Sequence, residues 1–566
     1  MGNDIPLQDR EIRLLFLLHN DCGAEDIKYT LLRTTIDRAP PYEALSYAWG
    51  EDFRQITLQN GTVTTLMTNL YHALRYLQRP YAARVLWIDA LCIDQENGAE
   101  RSKQAQLMGE IYATAWRVLI WLGEADDKMS HSLTILKRGY QAVVAEDGHS
   151  SSSTPVSLTA EEKGSIMQLI DRPYFNRTWV LQETIVAKTA LVMWSRSHMP
   201  FETLMAACEV LDLNESRWSH FNFACQAITT FGSLRRVFQG LTTDRTALGL
   251  TQLLLYTMGN RATDPRDKVF ALFGIANKAH DITPARPDYS RTVEEVYTSL
   301  ARFLVGDDHS LQILSAVQHG YTLSSLPSWV PDWRIEQPIR LLDAAQEYLN
   351  FRVHGERPTY PVVTHRPHPH KLALGGFSFD IVHKVDNTEL SLDVVDEFDR
   401  ALFHSLPDRR TIANRIGHDG LYPPTQEDFE VAWLRTISAG LFPAGTQLET
   451  SFARARYPLY VRWFSTLNVS IAPPKEVVDE IFSFVPLWTR GRKVFVTQMG
   501  FLGLGPAEVE PGDVVCVLSG GNLPYVVRPL GQDEFTFLGP SYVHGIMNGE
   551  AYHGVDRTRQ ETFVLV

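Results

Sequence analysis

The sequence predicts an α/β protein: a mostly parallel sheet flanked by helices at the N-terminal end, then a helical region, then an all-β module at the C-terminal end. Three observations predict it. Over residues 42–195 short apolar runs alternate with helical patterns, which calls for parallel strands joined by helical crossovers. Residues 200–310 are rich in helical periodicity. From about residue 490 onward, VFVTQ, DVVCVLSG, YVVRPL and EFTFLG alternate apolar and polar positions, with turn signals at Pro511-Gly512-Asp513 and Gly520-Gly521-Asn522 between them.

Taken in order, residues 1–41 read as an N-terminal strand and lead-in, and residues 42–195 as the α/β domain. In it, residues 42–49 (YEALSYAW) read as a strand ending at Gly50. Residues 67–78 read as a helix with Leu70, Leu74 and Leu77 on one face. Residues 84–89 (RVLWID) are an apolar run ending in an acid, and residues 100–115 form the clearest helix, with Leu107, Met108, Ile111 and Ala115 inward. Residues 117–122 are strand-like and stop at Gly123; 130–145 and 164–186 read as helices, and 190–194 as a strand. The Ser/Thr/Gly/Pro-rich stretch 146–164 reads as a flexible surface loop. Residues 196–335 read as a helical region ending in the connector LPSWVPDWR. Residues 336–489 read as mainly helical, above all over 380–470, with a loop of histidines and prolines at 352–371. Residues 490–566 read as a β module, a small barrel or sandwich.

Composition narrows the function classes. The chain has 566 residues, 44% hydrophobic and 21% charged, which fits a globular protein with a real core and excludes a fibrous or mainly disordered one. Its formal net charge of −13 is a poor match to broad phosphate-backbone binding, so no nucleic-acid partner is expected. The five cysteines form no C-x-x-C pair, which points away from a zinc cage and toward a reducing compartment. No apolar stretch approaches a membrane span and no secretory leader is evident, so a cytoplasmic protein without a membrane partner is expected.

Several residues carry candidate chemistry. Asp89 stands where a strand ends, and ligands of parallel sheets bind outside the carboxyl ends of the strands; capping or pairing with a loop group is the competing role, and is favoured for Asp94. Arg101 and Gln104 are expected to anchor a helix start rather than bind ligand. Trp179 and Glu183 are one helical turn apart, so both project from one face, and an acid beside an indole is partly desolvated with a raised pKa. Cys92 is expected to be a buried thiol. The glycines at 500, 503 and 505 lie in β-rich sequence with no helix following, which rules out a dinucleotide loop. His354, His365, His368 and His370 sit among prolines and are not expected to form a metal site.

An ordered set of motifs then resembles one family. It comprises Tyr42 to Gly50 (YEALSYAWG), Leu86 to Gln95 (LWIDALCIDQ), Glu100-Arg101 with Gln104, Met108, Ile111-Tyr112 and Ala115, then Val118 to Gly123, and Tyr174-Phe175-x-Arg177-x-Trp179-Val180-x-Gln182-Glu183. Over residues 42–187 this resembles the fungal heterokaryon incompatibility (HET) domain. The resemblance implies an intracellular part in self/non-self recognition, a form of innate immunity that ends in programmed cell death. It also implies a flavodoxin-like fold similar to Toll/interleukin-1 receptor (TIR) domains, some of which cleave NAD⁺ with a Glu in a Trp-x-x-x-Glu setting. On that analogy Glu183 is the catalytic residue and Trp179 walls the pocket. Ser46, Tyr47, Trp49 and Gly50 contact nicotinamide or ribose, while Asp89 and Arg177 orient loops or bind phosphate. NAD⁺ is then a substrate, and neither a bound cofactor nor a metal is required. The alternative is a non-enzymatic signalling module acting by homo-oligomerisation or by binding an incompatibility partner.

Overall fold

The structure, a computed structural model, describes residues 6–19, 27–50, 52–57, 63–125, 128–145, 156–211, 220–241, 248–277, 283–307, 310–319, 325–335, 342, 351–354, 368, 370–386, 421–440, 489–531, 533–553 and 561–566. It divides into two units, Met1–Val293 and Glu294–Val566.

The first unit is built on β1 (Glu11–Leu17), β2 (Tyr29–Thr35), β3 (Glu43–Tyr47), the hairpin β4 (Phe53–Thr57) and β5 (Val63–Met67), β6 (Arg84–Trp87), β7 (Arg117–Trp121), β8 (Ala190–Trp194) and β9 (Ser197–Pro200). Its helices are α1 (Thr68–Leu77), α2 (Asp89–Cys92), α3 (Gly98–Thr114), α4 (Ser132–Ala145), α5 (Ala160–Ile170), α6 (Thr178–Ile185), α7 (Phe201–Val210), α8 (His220–Phe238), α9 (Leu250–Tyr256) and α10 (Asp267–Phe270). Seven strands form one sheet in the order β2-β1-β6-β3-β7-β8-β9.

This sheet is mixed, which corrects the mostly parallel sheet expected from sequence. Strands β6, β3, β7 and β8 run parallel, but β2–β1, β1–β6 and β8–β9 are antiparallel. Connection length explains the difference. The chain between β3 and β8 has room for crossover helices, whereas Trp194 and Ser197 pair across a tight turn whose Ser195 is left-handed (φ 47°). The lead-in residues also supply two strands of the same sheet. The helix expected over 164–186 breaks in two, because Pro173 lacks an N–H and holds Arg172 extended, leaving a 3-10 turn at Pro173–Asn176 between α5 and α6. Of the expected loop 146–164, residues 146–155 lie outside the described residues and 160–164 are helical. Thr159 and Glu162 open that helix as a reciprocal capping box.

Strand β3 is buried along its whole length, as a central parallel strand covered on both faces must be. Its first residue is nonetheless Glu43, 5% exposed. Glu43 accepts from Arg84 on β6 (Nη2, 2.9 Å) and from Arg117 on β7 (Nε, 2.5 Å), so one carboxylate clamps the three neighbouring strands. A second buried pair joins β1 to α3: Arg13 donates to both oxygens of Glu100, whose Oε1 also accepts from Asp94 N at 2.8 Å. The helix itself starts at Asn97, whose side chain accepts from Glu100 N at 3.1 Å.

The second unit is β-rich. Its strands are β10 (Leu372–Val385), β11 (Leu421–Tyr422), β12 (Glu427–Asp428), β13 (Arg492–Thr497), β14 (Leu502–Pro506), β15 (Val514–Leu518), β16 (Tyr525–Gly531), β17 (Glu534–Pro540), β18 (Tyr542–Val543) and β19 (Glu561–Leu565). Strand β10 pairs successively with β19, β15 and β13, so β15-β16-β17-β19-β10 closes on itself as a small barrel. At the switch from β19 to β15 sits Gly376, where a Cβ would meet the Val517 carbonyl oxygen at 2.5 Å. Val353, Phe377, Val382, Phe495, Val515, Val526 and Leu538 are among the side chains packed in its core. Strand β10 corrects the mainly helical reading of 336–489: its pattern alternates, but Gly375-Gly376 interrupts the apolar run. Within 380–470 the described residues add only β11, β12 and the helix Phe429–Ile437; residues 387–420 and 441–470 lie outside the described residues. Gly503 and Gly505 lie on β14 against the Phe495 ring, which explains those glycines without a nucleotide.

Among the described residues no helix is long and apolar enough to cross a membrane, and no group of three His, Cys, Asp or Glu side chains is arranged to hold a metal ion. His365 lies outside the described residues, while His354 pairs with Asn522 at 3.2 Å.

Burial opposes ionisation of Glu43, but the hydrogen bonds and charges of Arg84 and Arg117 outweigh it and hold the carboxyl below its ordinary value. A group depressed in this way stabilises the fold above its unfolded pKa and loses that contribution as pH falls through its folded one. We expect Glu43→Gln to cost about 3–5 kcal/mol at pH 7, because two arginines keep no counter-charge. The urea midpoint of the N-terminal unit should therefore drop at pH 7, and the difference from wild type should shrink toward pH 3.

Candidate active site

The connections of the parallel strands bring the candidate residues together. The chain leaves β3 toward β6 on one side, and from β6 it crosses to β7 on the other side of β3. Outgoing connections diverge at such a point, which is where ligands of open parallel sheets bind. Ser46 and Tyr47 are the last two residues of β3, Trp49 and Gly50 follow in an exposed loop, and Asp89 opens α2 directly after β6. Arg177 precedes α6, and Glu183 lies on it.

Glu183 is 4% exposed. Its Oε2 accepts from the Ser46 hydroxyl. Ser46 has one proton, so toward Tyr174 it acts as acceptor and the Tyr174 hydroxyl donates at 2.7 Å. By the same reasoning Thr184 donates to Tyr174 at 3.3 Å. Three hydroxyls thus point their protons, in sequence, at one carboxylate. The Tyr112 hydroxyl lies within reach of both the Leu45 carbonyl, at 3.2 Å, and Glu183, and has one proton to give to either. Burial nevertheless pushes Glu183 up to about 7; the Arg177 charge works against that rise and the Asp89 charge adds to it.

Around this group the remaining candidates take distinct positions. Asp89 is half-buried; Oδ2 accepts from the Trp49 indole at 3.0 Å and Oδ1 from Ala90 N at 2.8 Å. Burial raises its pKa, and Arg177 opposes the rise. The Arg177 guanidinium donates to the Tyr47 carbonyl, tying the start of α6 to the end of β3. The Tyr47 hydroxyl is buried beside Asp89; burial and the Asp89 charge raise its pKa, and the Arg177 charge opposes the rise. Trp49 is 39% exposed. Gly50 is exposed, and a Cβ there would meet nothing closer than 4.0 Å, so sterics do not demand glycine.

Trp179 and Glu183 share α6 but not their polar partners. The Trp179 indole faces Asp267 on α10, a carboxylate that accepts from Tyr289 at 2.6 Å. Arg101 lies over the Tyr289 ring, 3.9 Å to its centroid, and Gln104 donates to the Glu11 carbonyl at 2.8 Å; both anchor α3, as expected. Asp94 accepts from Glu96 N at 3.2 Å and shapes a turn. Cys92 is fully buried, and burial pushes its thiol up to about 12. Sequence reasoning gave no role to Tyr112, Tyr174, Thr184 or Asn69. Asn69 donates to the Ala48 carbonyl at 2.7 Å and accepts from the Trp121 indole at 2.9 Å. Tyr112 and Tyr174 stand inside the motifs, but spacing alone does not reveal a hydroxyl relay.

The raised Glu183 pKa has a definite sign. Between about 4.5 and 7 the unfolded chain releases the proton while the folded one keeps it, so stability falls as pH rises through that window. The loss amounts to about 3 kcal/mol. Glu183→Gln keeps an acceptor for Ser46 and should flatten the dependence. Denaturation midpoints at pH 5 and pH 8 should differ less for the variant than for wild type.

Comparison with known proteins gives the geometry a context. Residues 42–183 match the family model described as heterokaryon incompatibility protein (HET), and residues 474–566 match that of the Het-6 beta-barrel domain. The chain is 26% identical to heterokaryon incompatibility protein 6, OR allele, of Neurospora crassa, over 98% of this chain and 96% of that protein. No solved structure matches it.

Proposed function

From the premise that the chain is a HET-domain protein, we propose that it acts in fungal self/non-self recognition and the programmed cell death that follows. We propose further that residues 42–195 form a TIR-like domain that hydrolyses the nicotinamide–ribose bond of NAD⁺. The single observation that carries this reading is Glu183: a nearly fully buried carboxylate fed by Ser46 at the carboxyl end of β3, where the outgoing connections diverge.

The chemistry asks little of the protein. The bond between ribose C1′ and the pyridinium nitrogen breaks, and its electron pair neutralises the ring. Positive charge develops over C1′ and the ring oxygen. A water adds at C1′ and gives up a proton, leaving ADP-ribose, nicotinamide and H⁺. An ionised Glu183 in a water-poor site stabilises the developing charge, as carboxylates do in glycoside hydrolysis. Ser46 fixes the carboxylate. The Tyr47 hydroxyl, beside Asp89, would meet a ribose hydroxyl. Trp49 offers an aromatic face, and Asp89 and Arg177 orient the loops or meet the diphosphate.

One observation favours a second reading. At 4% exposure, Glu183 can equally be the end of a core hydroxyl chain that stiffens α6, in a module that signals by oligomerising or by binding a partner.

The two separate by experiment. Purified full-length chain, both dilute and artificially clustered, is given NAD⁺ and nicotinamide release is followed. Glu183→Gln should lower the rate at least about 10²-fold, the scale seen when one transition-state electrostatic partner is removed. Because the working form is the carboxylate, the wild-type rate should climb between pH 6 and 8, around the group's pKa of about 7. A variant as active as wild type would transfer the case to the docking module.

A further inference from the structure

Two stretches outside the matched residues 42–183 lie directly on the helices that build the site. Arg261 forms a parallel bridge with Arg177; Thr178 N donates to the Arg261 carbonyl at 3.0 Å, and Arg261 N donates to the Asn176 carbonyl. The Asn260 amide donates to the Arg177 carbonyl at 3.4 Å. The first amide of α6 is therefore satisfied by residues some eighty positions downstream, not by a capping side chain of its own. At the next residue the Trp179 indole faces Asp267. About one turn further, Gly274 N donates to Gln182 Oε1 at 3.1 Å. The approach is so close that a Cβ on Gly274 would lie 2.7 Å from the Gln182 amide carbon, and one on Gly109 of α3 would lie 3.0 Å from Gly274 Cα. A second stretch grips α3: Gln106 donates to the Pro287 carbonyl at 2.7 Å, and Tyr289 N donates to Ser102 at 3.0 Å. Tyr289 closes the loop by donating to Asp267 and packing edge-on against Phe270, 5.2 Å between centroids.

We infer that residues 258–277 and 283–291 are an integral strap of the catalytic unit, and that Asp267 is a positioning residue that sets α6, and with it Arg177 and Glu183, through Trp179. The inference rests on the NAD⁺ reading for its kinetic consequence but not for its structural one. The strap touches α6 at its first residue, its second and its fifth, while Ser46 is met by its sixth. A helix of eight residues is too short to hold its own register in water. Removing the strap's grip lets α6 fray and moves the carboxylate tip, and displacements on the ångström scale are costly in catalysis. It follows that the segment matched by the family, cut at residue 183, is not a sufficient catalytic fragment.

The test uses the full chain and the variants Asp267→Ala, Asp267→Asn and Tyr289→Phe. Amide hydrogen exchange is read for the peptide covering 178–186, with α1 as internal reference, alongside the kcat and KM of nicotinamide release. Asp267→Ala should raise exchange across α6 at least about 10-fold with α1 unchanged, and should lower kcat by about 10-fold or more with KM within about twofold. Asp267→Asn, which keeps an acceptor for the indole, should restore both toward wild type. Tyr289→Phe, a gentler change, should move both in the same direction as Asp267→Ala. Exchange at α6 within twofold of wild type in both Asp267→Ala and Tyr289→Phe would overturn the strap. Wild-type chain without nicotinamide release would instead overturn the NAD⁺ reading, and exchange alone would then decide the strap.

Discussion

Everything in the N-terminal unit depends on holding one five-residue strand in register. Strand β3 is fixed at both ends by charge. At its start Glu43 is shared between Arg84 and Arg117 of the two flanking strands, and at its end the Tyr47 carbonyl is taken by Arg177. Side chains alternate along a strand, so a slip by one residue would carry Ser46 to the opposite face and away from Glu183. The apolar residues between, Ala44 and Leu45, supply burial but little discrimination between registers, since a strand covered on both faces accepts them in either orientation. The ion pairs supply that discrimination.

The same logic explains the state of the acid. A carboxylate that a cation held directly would sit low and remain ionised. Glu183 is instead met by neutral hydroxyls, with Arg177 acting through space and not by a bond to it, so desolvation wins and the group is poised near neutrality. Glu43 and Glu100 show the opposite outcome with comparable burial, because arginines bond to them directly. Three buried glutamates in one unit are thus told apart by their partners, and only one is left in a state suited to responding to a changing charge.

The alternation of apolar runs and helical periods made the four parallel strands and most helices of the first unit readable from sequence, because crossovers are long and each element carries its own period. The antiparallel flanks were not, since strand direction is set by what lies between strands. The break at Pro173 carries a clear local signal that the apolar periodicity on either side overrode. Strand β10 is hidden in the sequence because Gly376 serves a packing purpose, at the crossing with β15, that no local pattern discloses. For the candidate site, the motifs single out Glu183, and the ends of β3 and β6 single out Ser46 and Asp89, as residues the fold brings near one another. The hydroxyl relay through Tyr174 and the grip of Asp267 on Trp179 are not legible in the sequence, because both join residues far apart in the chain by contacts that have no period.

Strand β10 belongs to three pairings at once, with partners that lie at the far end of its unit. Such long-range pairing must bear its loop-closure entropy before any contact rewards it, so the β-rich unit should be the slow step in maturation. Until β19 arrives, the Leu372–Leu374 end of β10 stands as an unpaired edge. A nascent chain in that condition would need shielding by chaperones, and the abundance of the finished protein would track how quickly that gap is sealed.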